Sequence, residues 1–464
     1  MFMHCVRLQP RLPSPDHRSR AASPRVRADS GRGLYQLRSG KALYVMLTTV
    51  FFAAMPATAQ VNVENPALQS TENPQISRYG KQVLELDRAI QLDPQNPAKY
   101  SERGLVYERM GQHRLAILDF DEAIRLNPAE ASAFNNRGVT YGSLGQHQRA
   151  IADFNEAIRR APGDASAFNH RGFAYGRLGH HQKAIVDFDA AIRIDPQYVA
   201  AYSNRGVAYS RLGQLELAIK NYDAAIRLDP QNALTFYNRG YAYLKLRQHE
   251  PAIRDLDESV RLDPLDTWTY KSRGLAYLEI GEPGKAIPDF NEAVRLDPYD
   301  VWTYNNRGLA YGRLRQHEKA IADFNEALRL DPRHIAALNN RGFANANLGR
   351  HELAAHDFNQ AIRIDPRNAE AHNGLAWQLS TAREPQIRNG GLAVELARKA
   401  CELTQWKNPN HMDTLAAAYA ETGRFAEAIR WQQAALAFPE FEKQSGEAAR
   451  KRLALYQEGK PYRN

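Results

Sequence analysis

Cysteine is nearly absent from the 464-residue sequence, which contains only Cys5 and Cys401. Cys5 belongs to a basic leader at the start of the sequence, so removal of that leader leaves a single cysteine. One thiol cannot form an intramolecular disulfide, and we therefore expect the fold to be held together by packing alone.

Sequence motifs of catalysis and cofactor binding are missing as well. The chain has no P-loop, no G-x-G-x-x-G after a strand, no nucleophile elbow and no H-E-x-x-H. Carboxylates are plentiful, but they recur at a fixed interval, as those on solvated faces do. We therefore predict a protein that is not an enzyme, with no catalytic residues, no cofactor and no metal site.

A strong charge of one sign is missing from most of the chain, although its formal net charge is +9. Residues 1–59 contain nine basic and two acidic residues. Subtracting these from totals of 61 and 52 leaves 52 basic and 50 acidic residues for the remainder. That nearly neutral balance does not favour a nucleic-acid partner.

Long apolar runs are missing outside the leader. There, Arg38 and Lys41 precede an apolar run at residues 42–55, and the small residues Ala-Thr-Ala follow, ending at Ala59. This order predicts a secretory signal peptide that is cleaved near Ala59, and hence a periplasmic or secreted protein. The run is shorter than the roughly 20 apolar residues of a membrane span, so we expect no stable span in the mature chain. An organellar transit peptide and an uncleaved anchor remain alternatives.

The sequence is instead rich in a 34-residue period, for which residues 301–334 serve as the reference unit. Aromatic and small residues fall at helical spacing in two stretches of this unit, on either side of a polar turn at residues 315–317. These residues are Tyr304, Gly308, Tyr311, Ala320, Phe324 and Ala327. A proline closes each unit, because it cannot continue a helix. The prolines are Pro94, Pro128, Pro162, Pro196, Pro230, Pro264, Pro298, Pro332 and Pro366.

A helix–turn–helix unit of this length, with these residues in this order, is the tetratricopeptide signature. The chain therefore resembles the tetratricopeptide-repeat family over roughly three-quarters of its length. The resemblance implies an all-α fold, namely a right-handed superhelical solenoid of helix–turn–helix repeats.

The repeat pattern divides the chain into six predicted segments. They are a leader or signal peptide (1–59), a flexible linker (60–77), an amino-terminal capping half-repeat (78–96), eight 34-residue repeats (97–368), two divergent repeats (369–439), and a carboxyl-terminal capping helix and tail (440–464).

An Arg-Gly pair marks the first helix of each of the eight full repeats, and an aspartate usually follows the arginine 16 residues later. Arg307 and Asp323 represent the pattern, and Asn221 replaces the aspartate in one repeat. We interpret the pair as a structural ion pair with bidentate geometry. A ladder of arginines that binds an acidic ligand is the alternative.

The residue immediately before the Arg-Gly pair, which we call the ladder place, is asparagine in five repeats. In the tetratricopeptide family this place faces the concave groove, and the pattern looks like the asparagine ladder of O-linked N-acetylglucosamine transferases. An amide offers both donors and an acceptor, as a peptide bond does. The predicted peptide-binding residues are Asn136, Asn204, Asn238, Asn306 and Asn340. The alternative is that these amides only satisfy neighbouring helices or solvent.

Three aromatic residues predict a second feature of the groove. By the same resemblance, Trp268 and Trp302 occupy a groove-facing place of adjacent repeats, and Tyr237 projects nearby. Tryptophan and tyrosine are favoured interface anchors, although packing against the next helix is an equal alternative. The family's carboxylate clamp is absent, since Lys271 is the only basic residue at the places that the clamp requires.

Together these features predict an exported scaffold or adaptor that binds an extended peptide or a partner protein in its concave groove, for example in envelope assembly. One alternative is a carbohydrate- or polysaccharide-binding envelope factor that stacks sugars on the aromatic residues. The other is a non-catalytic subunit of an enzyme complex. The partner's identity and self-association stay open, because one repeat fold serves many functions.

Overall fold

The computed structural model describes residues 74–464, with side chains from Arg78 onward. The predicted leader and signal-peptide cleavage site lie outside the described residues, as does most of the predicted linker. Contacts divide the chain into two compact units, which we call the amino-terminal unit (up to Pro230) and the carboxyl-terminal unit (from Gln231).

The elements of residues 74–464 are helices. In the amino-terminal unit they are α1 Pro74–Leu92, α2 Pro97–Arg109, α3 His113–Leu126, α4 Ala131–Ser143, α5 His147–Arg160, α6 Ala165–Arg177, α7 His181–Ile194, α8 Val199–Arg211 and α9 Leu215–Leu228. In the carboxyl-terminal unit they are α10 Ala233–Lys245, α11 His249–Leu262, α12 Thr267–Glu279, α13 Pro283–Leu296, α14 Val301–Arg313, α15 His317–Leu330, α16 Ile335–Asn347, α17 His351–Ile364, α18 Ala369–Thr381, a short 3₁₀ helix Pro385–Ile387, α19 Gly390–Leu403, α20 Pro409–Glu421, α21 Phe425–Leu436 and α22 Pro439–Gln457. The first helix begins at Pro74, three residues before the predicted end of the linker at residue 77.

Local signals in the sequence set the ends of each hairpin, as the reference unit shows. The Asp300 carboxylate accepts a hydrogen bond of 3.0 Å from the Thr303 N–H and so caps α14. Arg315 adopts a left-handed backbone conformation with φ of 59° in the turn before α15. Gly349 has the same role one repeat later, with φ of 71°, which glycine adopts without steric strain.

Close approach of the two helices in a hairpin depends on a glycine in the first helix. A Cβ atom on Gly308 would lie 2.6 Å from Cε1 of Phe324, so only glycine leaves room for the ring. Ala320 and Ala327 on α15 are fully buried beside that ring. Small residues therefore bring α14 and α15 together, and the aromatic ring fills the space between them.

Within each unit, the second helix of one hairpin packs against the first helix of the next, and first helices of successive hairpins also contact one another. We call the surface formed by these first helices the first-helix face. The fold is the all-α repeat solenoid that the sequence predicts.

The divergent end of the chain closes the carboxyl-terminal unit. Helix α22 buries Phe441 and Tyr456 against the hairpin of α20 and α21. The segment after α22 turns back to α18, where the Asn464 N–H donates to the Thr381 carbonyl at 2.8 Å. Across residues 74–464, the structure contains no helix with the length and apolar character needed to cross a membrane.

Candidate functional site

The five asparagines of the predicted ladder lie on first helices, but they differ in exposure. Asn136 and Asn204 in the amino-terminal unit are half-buried, and so is Asn238 in the carboxyl-terminal unit. Asn306 is fully buried and Asn340 is 6% exposed. The first three thus present part of an amide at the surface, whereas the last two lie inside.

In three repeats the ladder place takes part in a hydrogen bond between repeats. Its side chain contacts the residue 35 positions earlier, which stands just before the ladder place of the preceding repeat. Three such pairs are Asn135 Oδ1 with His170 Nδ1 at 3.0 Å, Asn169 Oδ1 with Asn204 Nδ2 at 3.0 Å, and Asn305 Oδ1 with Asn340 Nδ2 at 3.0 Å. Asn204 and Asn340 therefore stabilise the stacking of repeats in addition to any part they have in binding.

Asn306 departs from this arrangement because the residue 35 positions earlier is Lys271, which has no acceptor. Its Nδ2 donates instead to the Trp302 carbonyl at 2.7 Å. Its Oδ1 is buried and has no hydrogen-bond partner. An unsatisfied buried acceptor of this kind weakens the local structure.

Two of the three predicted aromatic residues pack on other rings, Tyr237 within its own repeat and Trp302 on the preceding repeat. The Tyr237 ring stacks on Tyr241 with 6.2 Å between centroids. Burial raises the pKa of Tyr237 to about 12, and a contact with the Ser272 hydroxyl opposes part of that rise. Trp302 is half-buried and meets Phe290 edge to face at 6.2 Å.

Trp268 is the most exposed of the three, at 38%, and a buried lysine supports its ring. Lys271 is only 3% exposed, and its Nζ lies 4.1 Å from the Trp268 ring centroid and 5.4 Å from that of Trp302. The same ammonium donates to Asp300 at 2.9 Å. The Lys271 ammonium is paired with Asp300 and contacts both indole rings. These contacts hold the Trp268 indole in one orientation.

Exposed apolar side chains occur at equivalent places around Trp268. Leu234, one repeat before Trp268, is 64% exposed. Leu265 and Tyr299, which precede Trp268 and Trp302 by three residues, are 69% and 76% exposed. Large side chains of this kind at one edge of successive repeats are typical of an interaction surface.

The repeated arginines are fully occupied by structural contacts. Arg307 Nε and Nη2 donate to Asp323 at 2.9 and 2.6 Å, and Nη1 donates to Asn291 of the preceding hairpin at 2.9 Å. Burial raises the pKa of Asp323 although the arginine opposes the rise, and the hydrogen bond to Asp323 raises the pKa of Arg307. The predicted structural ion pair is confirmed, and Asn221 accepts from Arg205 at 2.7 Å in the exceptional repeat.

The second partner of each arginine was not foreseen in the sequence. An aspartate or asparagine 16 residues before the arginine supplies it, as Asp87 does for Arg103 at 2.6 Å. The interval of 16 residues between this second partner and the arginine is visible in the sequence, and it is the signal that identifies the partner.

Histidine recurs at the start of several second helices, one residue per repeat, as in α3, α5 and α15. Burial lowers the pKa of His317 and of His181. Residues 74–464 hold no group of three or more His, Cys, Asp or Glu side chains placed to bind a metal ion.

Comparison with solved structures finds similar repeat proteins, while no curated protein matches the sequence. YrrB, described as a TPR protein with an unusual peptide-binding site, is 25% identical over 40% of this chain and 95% of its own, with a TM-score of 0.37. MamA from Desulfovibrio magneticus RS-1 is 26% identical over 37% of this chain and 96% of its own, with a TM-score of 0.36. Pseudomonas aeruginosa pilF is 21% identical over 45% of this chain and 94% of its own, with a TM-score of 0.40.

Protein-family models described as TPR repeat or tetratricopeptide repeat match most of the array. The matched residues are 101–165, 177–213, 211–246, 233–264, 274–314, 301–334, 335–368 and 410–438. These stretches include both regular and divergent repeats and together span more than half of the sequence. The chain belongs to the tetratricopeptide-repeat family.

Proposed function

We propose that the first-helix face around Trp268 binds an extended segment of a partner protein, without catalysing a reaction. Tetratricopeptide repeats build protein-interaction scaffolds, and the chain is such a scaffold. The observation that carries the proposal is the Trp268 ring, 38% exposed and held in place by Lys271. A fixed, partly exposed tryptophan gives a large contact area at small entropic cost.

The half-buried ladder amides supply the polar part of the proposed contact. In the carboxyl-terminal unit, Asn238 presents an amide with the donors and acceptor that a peptide bond complements. Asn136 and Asn204 offer the same groups on the amino-terminal unit's own first-helix face. Asn306 and Asn340 lie inside, and in this proposal they support the repeats rather than touch the partner.

Selection of peptides tests the proposal directly. A random peptide library is displayed and selected on the full chain, and the dissociation constants of the enriched peptides are then measured. Trp268→Ala should weaken binding at least about tenfold, as loss of an interface anchor does. Leu353→Ala is the control, because it removes an exposed apolar side chain from α17, a second helix outside the first-helix face, and should leave affinity within about twofold.

Two outcomes would contradict the proposal. In the first, no peptide is enriched by the selection. In the second, the enriched peptides bind Trp268→Ala as tightly as they bind the native chain. A glycan array probed with the same variants tests the carbohydrate alternative, which has less support because Trp302 packs against Phe290 and Tyr237 against Tyr241. Binding of a glycan that Trp268→Ala abolishes would favour that alternative.

We also propose that the protein is exported, on the sequence pattern of residues 38–59 alone. Expression in a Gram-negative bacterium, followed by fractionation and amino-terminal sequencing, tests this. Export with cleavage near Ala59 yields a periplasmic chain that begins at Gln60. A full-length chain retained in the cytoplasm would contradict the proposal.

A further inference from the structure

A cavity of about 200 Å³ lies on the first-helix face of the carboxyl-terminal unit, and we call it the carboxyl-terminal cavity. Phe343 of α16 and Trp377 of α18 line it, and Tyr462 closes one side. The Tyr462 and Trp377 rings contact each other with 6.0 Å between centroids. The cavity therefore has aromatic side chains on three of its walls.

At the level of the cavity the chain has a glycine where other repeats carry a ladder side chain. Gly374 stands 34 residues after Asn340 and lines the cavity. A Cβ atom there would lie 2.6 Å from the Phe358 ring, which packs edge to face on Phe343 at 5.0 Å. The Phe358 ring therefore takes the place of a side chain at Gly374, and no ladder amide extends past it into the cavity.

One residue of the cavity wall has a polar atom without a hydrogen-bond partner. Asn373 lines it and is 4% exposed, and its Oδ1 is buried with no hydrogen-bond partner. Buried acceptors in native proteins are nearly always satisfied. The Asn373 oxygen can therefore accept a hydrogen bond that the chain itself does not donate.

The charged side chain of the wall is already neutralised. Arg452 donates to both carboxylate oxygens of Asp413, with Nη2–Oδ distances of 2.8 and 2.9 Å. Its guanidinium lies 5.5 Å from the Trp377 ring and 5.6 Å from the Tyr462 ring, so it holds these two walls together. An anionic ligand finds no unpaired cation here, and the Arg452 charge beside both rings repels a cationic one, so a neutral ligand is favoured.

We propose that the carboxyl-terminal cavity receives a neutral aromatic side chain of the partner segment, whose main-chain N–H donates to Asn373 Oδ1. A cavity of about 150 Å³ is large enough for a benzene ring, so 200 Å³ accommodates such a side chain. The rings of Phe343, Trp377 and Tyr462 offer the edge and face contacts that aromatic groups prefer. This inference rests on the proposed function and adds a second anchor to the same face.

A minimal probe tests the cavity without knowledge of the partner. The full chain is labelled with fluorotryptophan, which gives a fluorine NMR signal for each of its five tryptophans. Trp377→Phe assigns one signal and Trp268→Phe another. N-acetyl-L-phenylalaninamide, which carries a ring and amide N–H groups, should shift the Trp377 signal at millimolar concentration and leave the Trp268 signal in place. N-acetylglycinamide, which lacks the ring, should shift neither.

Two variants test the roles of the acceptor and of the space. Asn373→Leu keeps the size of the side chain and removes the acceptor, and should weaken probe binding by about tenfold. Asn339→Leu is its matched control, because Asn339 holds the equivalent place one repeat earlier and its Oδ1 is also unpaired, but it does not line the cavity. Ala346→Phe fills the cavity and should abolish binding, and it serves as a second test if Asn373→Leu does not fold.

The inference is overturned if the probe leaves the Trp377 signal unchanged, or if it binds Asn373→Leu and Ala346→Phe as it binds the native chain. The selected peptides separate this failure from failure of the proposed function. Peptides that lose affinity with Trp268→Ala but not with Ala346→Phe would refute the cavity and leave the function standing. A probe that binds while no peptide does would refute the function and leave the cavity as a site for small aromatic amides.

Discussion

At the scale of single residues, the repeated arginines act as clamps between hairpins. Arg307 binds Asp323 of its own hairpin and Asn291 of the preceding one, so one guanidinium connects three helices. The Asp323 side chain is only 8% exposed, which leaves little water to replace a lost partner. The clamp thus depends on both members being present.

Removal of the carboxylate should be strongly destabilising. We expect Asp323→Ala to lower the free energy of unfolding by about 3 kcal/mol, because it leaves a half-buried guanidinium without its bidentate partner. Asp323→Asn should cost about 1 kcal/mol, because an amide oxygen still accepts, as Asn221 does from Arg205 at 2.7 Å. Urea unfolding followed by circular dichroism measures both. Equal losses for the two variants would show that packing, not the hydrogen bond, is what matters.

Cys401 should be chemically silent in the folded chain. It is fully buried, and burial raises the pKa of its thiol to about 12. At pH 8 the thiol therefore stays protonated, while in the unfolded chain a substantial fraction is the reactive thiolate. A Cys5→Ser variant isolates this thiol for titration with Ellman's reagent. We expect no reaction until denaturant is added, and fast reaction in buffer would contradict the burial of Cys401.

The role of a residue could be predicted from the sequence where that residue recurs in every repeat. The Arg307–Asp323 pair was predictable because both members recur with the period. Lys271 occurs in one repeat only. Its place in the sequence indicated that the carboxylate clamp is absent, but it did not indicate that the lysine supports Trp268 and Trp302. The hydrogen bonding of Asn306 depends on what lies 35 residues earlier, and glycine is needed at position 374 because the Phe358 ring approaches it. Such effects come from packing between repeats, which spacing along one repeat does not show.

At the scale of helices, α6 contains two glycines with opposite expected effects. A Cβ atom on Gly172 would lie 2.8 Å from Cε1 of Phe188, whereas one on Gly176 meets nothing within 4 Å. Gly172→Ala should therefore lower the free energy of unfolding by about 1–3 kcal/mol through overpacking. Gly176→Ala should raise it by about 0.5–1 kcal/mol, because alanine loses less backbone entropy in a helix.

Chemical denaturation of the two glycine variants in parallel provides the measurement. Each variant is the control for the other, since both make the same substitution in one helix. Destabilisation by Gly176→Ala would show that its surroundings are more crowded than the structure indicates. A neutral Gly172→Ala would show that the Phe188 ring moves aside without cost.

The cap of α16 should respond to acid. His334 Nδ1 accepts a hydrogen bond of 3.2 Å from the Ala337 N–H, and burial lowers the pKa of His334 below its usual 6.5. The neutral ring contributes its stability above pH 6.5, and that stability is lost as the pH falls through the lower folded-state pKa, because the protonated ring cannot accept. On acidification, the free energy of unfolding should fall by about 1 kcal/mol less in His334→Asn than in the native chain. Asparagine can cap the helix at either pH, as Asn368 caps α18.

Thermal unfolding at pH 7 and pH 5 measures the effect on the cap. His356→Asn is the control, because His356 is exposed on α17 and forms no part of a cap. We expect the difference in melting temperature between the two pH values to shrink for His334→Asn and not for His356→Asn. An unchanged difference for both would show that His334 does not titrate in this range.

At the scale of the whole molecule, stability should be local. Each hairpin contacts its neighbours in sequence within its unit, and its core consists of a few residues such as Ala320, Phe324 and Ala344. The free energy of such an array is close to a sum of repeat and nearest-neighbour terms. Damage in one hairpin is then felt most by the hairpins beside it.

Hydrogen exchange should reveal this locality. Phe324 is 2% exposed, and Phe324→Ala should remove about 3–5 kcal/mol from its hairpin through lost burial and a cavity. Mass spectrometry of peptic peptides should show faster exchange in α14 to α17 and unchanged exchange in α2 to α5. Phe154→Ala, at the equivalent place of the amino-terminal unit, should give the converse pattern, with faster exchange in α4 to α7. Uniform acceleration along the chain in both variants would mean that the array unfolds as one cooperative body, because only global opening would then expose every helix at the same rate.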